Sequence, residues 1–498
     1  MTSLGRRGSR AALWNNAGNV FRLLLQFVTG IALARMLGPE AFGLVAIALF
    51  LIGLGQLFSD LGFSTAIIQS QTLADDDVDF LFTVQVCIGL LMTAAVIALA
   101  QPLADFFGEP RAVNVVRALA PLFLLRAVGL TASALLMRAL DLRSVQTGTI
   151  VGYSTGYLMI GLPLAQAGFG VWSLIVAQLV QAVVTSIVAI VQVGRPLRLR
   201  FRPRARSLFA FGGTSLLGNL GSWILATADA ALVGRMAGAV PLGLYNRAQN
   251  LASTPAGAAI SGLQVVVLGM AARAQANPEQ LRRVLLSGIA LVLLLVAPVL
   301  LAVACVPHTV ILAVFGPQWA AAAPLLKPLA LAMIVHSLVA ILGPVLVGAG
   351  LVRREAALQW VTVLIMLPLL LLASRSSVEA VAWALLAGYC ARLALMTHAV
   401  HRLVPLQKAI LLSAIGPVVL VAIATAIGAA LTDRGLNGAG AQLRLMLVML
   451  GAAATGLLAV FLLRRSLRSG PLGQALVHSE LVPARFRGWL LGDDVVKV

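Results

Sequence analysis

The chain has 498 residues, 60% of them hydrophobic and only 11% charged, with a mean hydropathy of +0.99. That composition excludes a soluble globular domain and a disordered chain. The charge is lopsided, with 36 Lys+Arg against 17 Asp+Glu, and the basic residues sit between apolar runs, which assigns them to membrane topology and anionic lipid rather than to nucleic acid.

Apolar runs of about 18 residues or more read as spanning helices. Fourteen are predicted, at 14–36, 41–66, 80–100, 115–137, 147–167, 171–193, 208–234, 242–270, 284–305, 324–348, 356–373, 379–397, 409–430 and 443–463. Arg6, Arg7 and Arg10 precede the first without a small-residue cleavage site, so this span is expected to be retained. Along it Asn15, Asn19, Arg22 and Gln26 recur at helical spacing and make one polar face. The stripe either glues helices by hydrogen bonds or lines a polar interior. Next comes Arg35-Met36-Leu37-Gly38-Pro39-Glu40-Ala41-Phe42-Gly43-Leu44, and then Asp60 inside the second span. The third span is preceded by Asp75, Asp76, Asp77 and Asp79, carboxylates suited to a helix N-terminus. Arg126 falls in the middle of the fourth. Cys87, Cys305 and Cys390 lie far apart in apolar segments and read as small buried hydrophobes. Pro163, Pro298 and Pro368 are expected at kinks or helix ends.

After the sixth span the segment 195–207 is dense in arginine, with Arg195, Arg198, Arg200, Arg202, Arg204 and Arg206. Pro196 and Pro203 make it an extended linker. It serves either to anchor topology on anionic lipid or to gather an anionic headgroup. Asp229 lies in the seventh span, and the phrase at 35–44 then returns as Arg235-Met236-Ala237-Gly238-Ala239-Val240-Pro241-Leu242-Gly243-Leu244. Phe107-Gly108 is echoed by Phe315-Gly316, and Val171-Trp172-Ser173-Leu174 by Ala382-Trp383-Ala384-Leu385. Six spans separate the copies, so the repeat is parallel, with a pseudo-twofold along the membrane normal. Arg247 follows early in the eighth span, His336 lies deep in the tenth and Arg392 in the middle of the twelfth. Trp14, Trp172, Trp319 and Trp360 fall near span ends and read as interfacial belt residues.

The fold expected is an all-α integral membrane protein of about 14 transmembrane helices, two pseudo-symmetric six-helix lobes plus two extra C-terminal helices. The divisions are 1–194 for the first lobe, 195–207 for the basic linker and 208–400 for the second lobe. Residues 401–465 hold the last two helices and 466–498 a tail. Most Lys and Arg fall in loops on one side, which puts both termini in the cytoplasm.

Several of these residues carry a resemblance. Ala32 to Leu44, Phe58-Ser59-Asp60-Leu61-Gly62-Phe63, Val233 to Gly238, and Leu242-Gly243-Leu244-Tyr245-Asn246-Arg247-Ala248 are similar to the polysaccharide transporter family of the MOP superfamily. The chain looks most like its Wzx-type flippases of colanic-acid and xanthan systems. The resemblance implies movement of an undecaprenyl-diphosphate-linked oligosaccharide repeat unit across the bacterial inner membrane, by alternating access, for exopolysaccharide or O-antigen synthesis. It also implies an ion gradient as energy source, with a polymerase and export complex as possible downstream partners. No cofactor and no metal is expected.

Such a cargo needs a cationic, polar cavity, and ionisable groups inside spans are costly unless used. Arg22 and Arg247, one per lobe, are the first candidates for the anion because arginine binds diphosphate in a fork. Asn19, Gln26, Arg126 and Arg392 complete the candidate set, with Arg198, Arg200 and Arg202 as a basic cytoplasmic approach surface. Snorkelling or pairing with an internal carboxylate is the competing role for each arginine. Asp60 and Asp229 serve either as ion-pair partners or as coupling carboxylates. Two rivals remain: a membrane glycan polymerase or ligase, expected to carry a long outer loop, and a MATE-like drug or ion antiporter, expected to carry interior carboxylates.

Overall fold

The structure is a computed structural model that describes residues 3–59, 67–68, 74–200, 213–405, 408–436 and 438–469. Asp60, Arg202, most of the tail and the side chains of Trp14 and Asn15 lie outside the described residues. Every regular element among the described residues is helical. Backbone groups in lipid must be satisfied within the chain, and a helix does this locally. The chain falls into two compact units, Met1–Asn246 and Arg247–Val498.

The first unit holds α1 (Ser3–Met36), α2 (Pro39–Ser59), α3 (Asp75–Phe107), α4 (Ala112–Leu119), α5 (Leu122–Arg138), α6 (Leu142–Tyr153), α7 (Val171–Val193), α8 (Gly213–Ala237) and the first turns of α9 (Ala239–Ala274). Helix α6 continues through a π-turn, Ser154–Gly161, into Leu162–Gln166. Pro163, expected at a kink, sits two residues past that turn. It has no N–H for the i−4 carbonyl, which loosens the ladder where the register widens. Packing runs α3 on α5, α5 on α7, α7 on α6 and α6 on α1, while α2 touches α3, α4, α7 and α8.

The two copies of the repeated phrase meet inside this unit. A Cβ added to Gly43 would land on the Ala239 carbonyl oxygen, and one added to Gly243 on that of Pro39. Each position lies 200 from its counterpart, 39 with 239 and 43 with 243, so the contact is reciprocal about a local twofold. Only glycine lets two helix backbones approach this closely.

The second unit holds the rest of α9, then α10 (Pro278–Cys305), α11 (Pro307–Val314), a 3₁₀ turn (Pro317–Ala322), α12 (Ala323–Gly348), α13 (Val352–Ser374), α14 (Val378–His401), α15 (Lys408–Gly435), α16 (Ala441–Leu462) and α17 (Arg464–Ser469). Helix α12 packs on α10 and α14, α14 on α13, and α15 on both α10 and α16. The added hairpin interleaves small residues, with Gly428 against Thr455, Gly451 against Thr432 and Gly456 against Thr425. In lipid such close van der Waals packing replaces the hydrophobic drive between helices. Its mouth is fixed by Asp433, whose carboxylate accepts from Arg444 Nε at 2.7 Å and from the Thr309 hydroxyl at 2.6 Å.

Among the described residues a helix overlaps each predicted span, and eleven helices are long and apolar enough to cross a membrane. The other three are α1, α6 with its π-turn, and α8. Helices α1 and α8 open the two repeats, and both carry polar groups that are at least half-buried: Asn19, Arg22 and Gln26 on α1, Thr227 and Asp229 on α8.

Two expectations are corrected. Trp319, read as an interfacial residue, is fully buried with its ring 5.7 Å from Phe315. The 3₁₀ turn that carries it stands between α11 and α12, a local break that hydropathy does not show. The three cysteines, read as buried, are exposed on α3, α10 and α14. In a membrane bundle the outward face is as apolar as the core, so a small apolar residue carries no inward signal.

Candidate functional site

The polar groups of the first unit are set by three helices. On α1 the Arg22 guanidinium donates to Asn19 Oδ1 at 2.8 Å, and both side chains are half-buried, as is Gln26. Helix α1 seats against α6 at Gly18, where an added Cβ would lie 3.1 Å from Gln146 Cβ. On the π-turn side of α6, Tyr153 and Tyr157 stack with centroids 4.7 Å apart and planes 15° apart. Arg126 of α5, one turn in from the start of that helix, is exposed.

Asp229 is 0% exposed, and its Oδ2 accepts from the Tyr245 hydroxyl at 2.7 Å, joining α8 to the start of α9. Arg235 stands over the Phe106 ring at 5.3 Å from the centroid. Arg247 is half-buried two residues beyond Tyr245, at the head of the second unit.

The described part of the linker, Arg195–Arg200, is extended and laid along α3. Arg195 donates to Asp75 Oδ1 at 2.6 Å and to Asp79 Oδ1 at 2.7 Å. The Arg198 N–H reaches Asp79 Oδ1 at 3.4 Å, and the Arg200 N–H donates to Thr83 Oγ1 at 2.7 Å. The Arg200 guanidinium pairs with Asp76. Only Asp77 of the acidic run faces its own helix start, accepting the Ala74 N–H at 3.2 Å. The acidic run and the basic linker thus complete one clasp, in which Arg198 keeps an exposed side chain. Asp79 is the keystone, with a side chain only 6% exposed. Asp79→Asn is expected to release the linker and to speed trypsin cleavage after Arg198 and Arg200 by about tenfold, since a partly buried charged hydrogen bond contributes roughly 1.5–3 kcal/mol. An unchanged digestion rate would show that the clasp does not hold the linker.

In the second unit Arg392 of α14 pairs with Glu355 of α13 at 3.6 Å. Gln359, one turn on from Glu355, is buried. The His336 ring of α12 lies 4.9 Å from Tyr389 of α14, and its Nδ1 has no hydrogen-bond partner. Arg392 therefore takes the internal-carboxylate role held open for it, and Glu355 is a residue the sequence reading passed over. It follows Arg353 and Arg354 and looked like loop; the available signal was the i, i+4 pair with Gln359 at the head of an apolar helix. Tyr153 and Tyr157 carried the same i, i+4 signal.

The chain matches the protein family described as Polysaccharide biosynthesis protein over residues 32–324. It is 29% identical to the succinoglycan biosynthesis transport protein ExoT of Rhizobium meliloti (strain 1021), over 68% of this chain and 67% of that protein. It is 24% identical to the lipopolysaccharide biosynthesis protein WzxC of Escherichia coli (strain K12), over 67% of this chain and 68% of that protein. Among solved structures it resembles the lipid II flippase MurJ in an inward closed conformation, with a TM-score of 0.76 at 12% identity, covering 91% of this chain and 99% of the other. At that identity the likeness is one of fold alone.

Proposed function

The chain belongs to the polysaccharide biosynthesis protein family, and from that premise we propose that it is a flippase for an undecaprenyl-diphosphate-linked oligosaccharide, working by alternating access in the bacterial inner membrane. Both termini are cytoplasmic in this reading, and the cargo feeds exopolysaccharide or lipopolysaccharide assembly by a polymerase and export complex. The relatives named for transport and for lipopolysaccharide biosynthesis support it.

The observation that carries the proposal is arginine inside spanning helices. Arg22 and Arg126 lie in the first unit, Arg247 and Arg392 in the second. Charge at that depth is expensive and marks a polar pathway, and its sign suits an anionic cargo rather than the cations of a drug antiporter. In the first unit Arg22, oriented by Asn19 and followed by Gln26, is the group for the diphosphate, and in the second unit Arg247 is its counterpart. Arg392, tied to Glu355, tunes the field of its lobe more than it grips cargo. Asp229, held by Tyr245, serves as the ion-pair or coupling carboxylate, and Asp60 is proposed for the same role. Arg198 offers the exposed cation of the cytoplasmic approach, with Arg200 engaged by Asp76 and Arg202 next along the chain. The protein itself makes and breaks no bond in this scheme.

The test is the leaflet distribution of polyprenyl-diphosphate oligosaccharide in cells with and without the protein. Without it, full-length repeat units are expected to accumulate on the cytoplasmic side. Wild type relieves the block; Arg22→Ala and Arg247→Ala each fail by about tenfold or more, the worth of a charged hydrogen bond. Repeat units that reach the periplasm normally but stay unpolymerised would overturn the flippase and favour a polymerase.

A further inference from the structure

We infer that a groove on α3, together with the clasp at its head, holds one phospholipid that carries a primary amine, with an acyl chain along the groove, the phosphate on Arg198 and the ammonium on Asp77. The lipid is a resident of the fold rather than its cargo, so the inference goes beyond the flippase reading and is tested apart from it.

The groove has a volume of about 230 Å³ and is lined by Phe80, Thr83, Val84, Cys87, Ile88 and Leu91. These positions recur at helical spacing and share one face of α3. From Phe80 to Leu91 the helix rises roughly 16 Å. The floor is firm, because Val84 and Ile88 pack on the buried Ile67, Leu81 and Ala134. Arg138 Nη1 ties that floor down by donating to the Ile67 carbonyl oxygen at 2.7 Å. The side is open, with Cys87 exposed and Leu91 63% exposed. Helix α3 is long and apolar enough to cross a membrane, so the open side meets acyl chains. Left empty, an apolar track forfeits dispersion contacts along its lining. Spread over its length, the volume suits a slender hydrocarbon chain and not a helix, which is about 10–12 Å across.

The clasp decides the headgroup. The Arg200 N–H donates to Thr83 Oγ1 at 2.7 Å, so the linker reaches the lining of the groove. Asp75 and Asp79 take Arg195, and Asp76 takes Arg200. Two charges are left over among the described residues. Arg198 keeps an exposed guanidinium that no carboxylate meets. Asp77 accepts only the Ala74 N–H, at 3.2 Å. Asp77 also heads the groove face, one turn before Phe80. One uncommitted cation and one uncommitted carboxylate at the head of an apolar track complement a zwitterion. Arginine meets phosphate oxygens through a fork of parallel hydrogen bonds. A primary ammonium brings three donors to a carboxylate, and a quaternary choline brings none. A headgroup with negative charge alone would set a like charge near Asp77. A cargo diphosphate that approaches Arg198 exchanges with the phosphate already there.

The experiment is native mass spectrometry of the purified full-length protein, titrated with dioleoyl phosphatidylethanolamine, phosphatidylcholine or phosphatidylglycerol. The three share their acyl chains and differ only at the headgroup. Wild type is expected to retain one phosphatidylethanolamine, about tenfold more tightly than either of the others, the worth of a charged hydrogen bond. Asp77→Asn, which keeps an oxygen for the Ala74 N–H, brings the three affinities together. Arg198→Gln weakens phosphatidylethanolamine by about tenfold. Cys87→Phe fills the groove from an exposed position and weakens all three lipids alike. Leu90→Phe, exposed on α3 outside the groove lining, leaves the three affinities as in wild type and controls for damage to the fold. Wild type that binds the three lipids equally or prefers phosphatidylglycerol would overturn the inference. So would Asp77→Asn that keeps the preference, or Cys87→Phe that binds like wild type. Each of those outcomes leaves the flippase reading standing.

Discussion

Gly43→Ala and Gly243→Ala are each expected to melt well below wild type and to lose transport. At both positions the new methyl group meets a backbone carbonyl, of Ala239 in one case and Pro39 in the other. A flexible side chain would swing aside, but a helix backbone cannot. Helix α2 and the start of α9 must then move apart, and overpacking of this kind costs about 1–3 kcal/mol. The loss of close contact along the crossing adds to it, because dispersion and weak hydrogen bonds are what join helices in lipid. The two substitutions strike one reciprocal contact, so the double variant is expected to lose less than the two single losses together. Gly218 and Gly257 lie on α8 and α9 with nothing near a would-be Cβ. Alanine at either is expected to be neutral or stabilising, by about 0.5–1 kcal/mol, because it restricts the unfolded chain. The measurement is the thermal midpoint of each purified variant. Gly43→Ala that melts like Gly257→Ala would show that the two helices do not need their close approach.

The second large effect is expected at the Arg392–Glu355 pair. The two side chains are 14% and 20% exposed, and their charged atoms are 3.6 Å apart. Arg392→Met leaves the Glu355 carboxylate without its cation in a low-dielectric setting, a loss of about 3 kcal/mol. The lower end of the usual range applies because 3.6 Å is an ion pair without a hydrogen bond. Glu355→Gln alone leaves the Arg392 guanidinium without its carboxylate and is expected to destabilise as well. The double variant Arg392→Met with Glu355→Gln removes both charges and should return to within about 1 kcal/mol of wild type, since paired buried charges roughly offset their own desolvation. Thermal midpoints of the four proteins decide it. Strictly additive losses would mean that the two groups are not coupled.

Most of the helical plan was legible in the chain because hydropathy is a local property. The seventh-to-eighth junction at Gly238 was read from one repeated phrase, and the span 171–193 coincides with α7. The fourth predicted span, 115–137, is divided into α4 and α5 at Ala120-Pro121, a break that proline explains. The candidate site was less legible. Arg22, Asn19 and Gln26 could be placed on one face by counting, since they share a helix. Glu355 was missed because its partner Arg392 is on another helix. The acidic run before α3 and the arginine linker were read as separate features because more than a hundred residues lie between them.

The sequence by itself determined that the chain is a duplicated all-helical membrane bundle. Apolar length and repeat spacing are written along the chain, and the bilayer obliges each apolar run to satisfy its own backbone. Only the tertiary structure decided which charges meet, that Trp319 is buried and the cysteines exposed, and that Gly43 and Gly243 close one reciprocal contact. Those outcomes depend on which helix lies beside which. In lipid that choice turns on a few small residues and hydrogen bonds rather than on hydrophobicity, which is the same on both faces of a spanning helix.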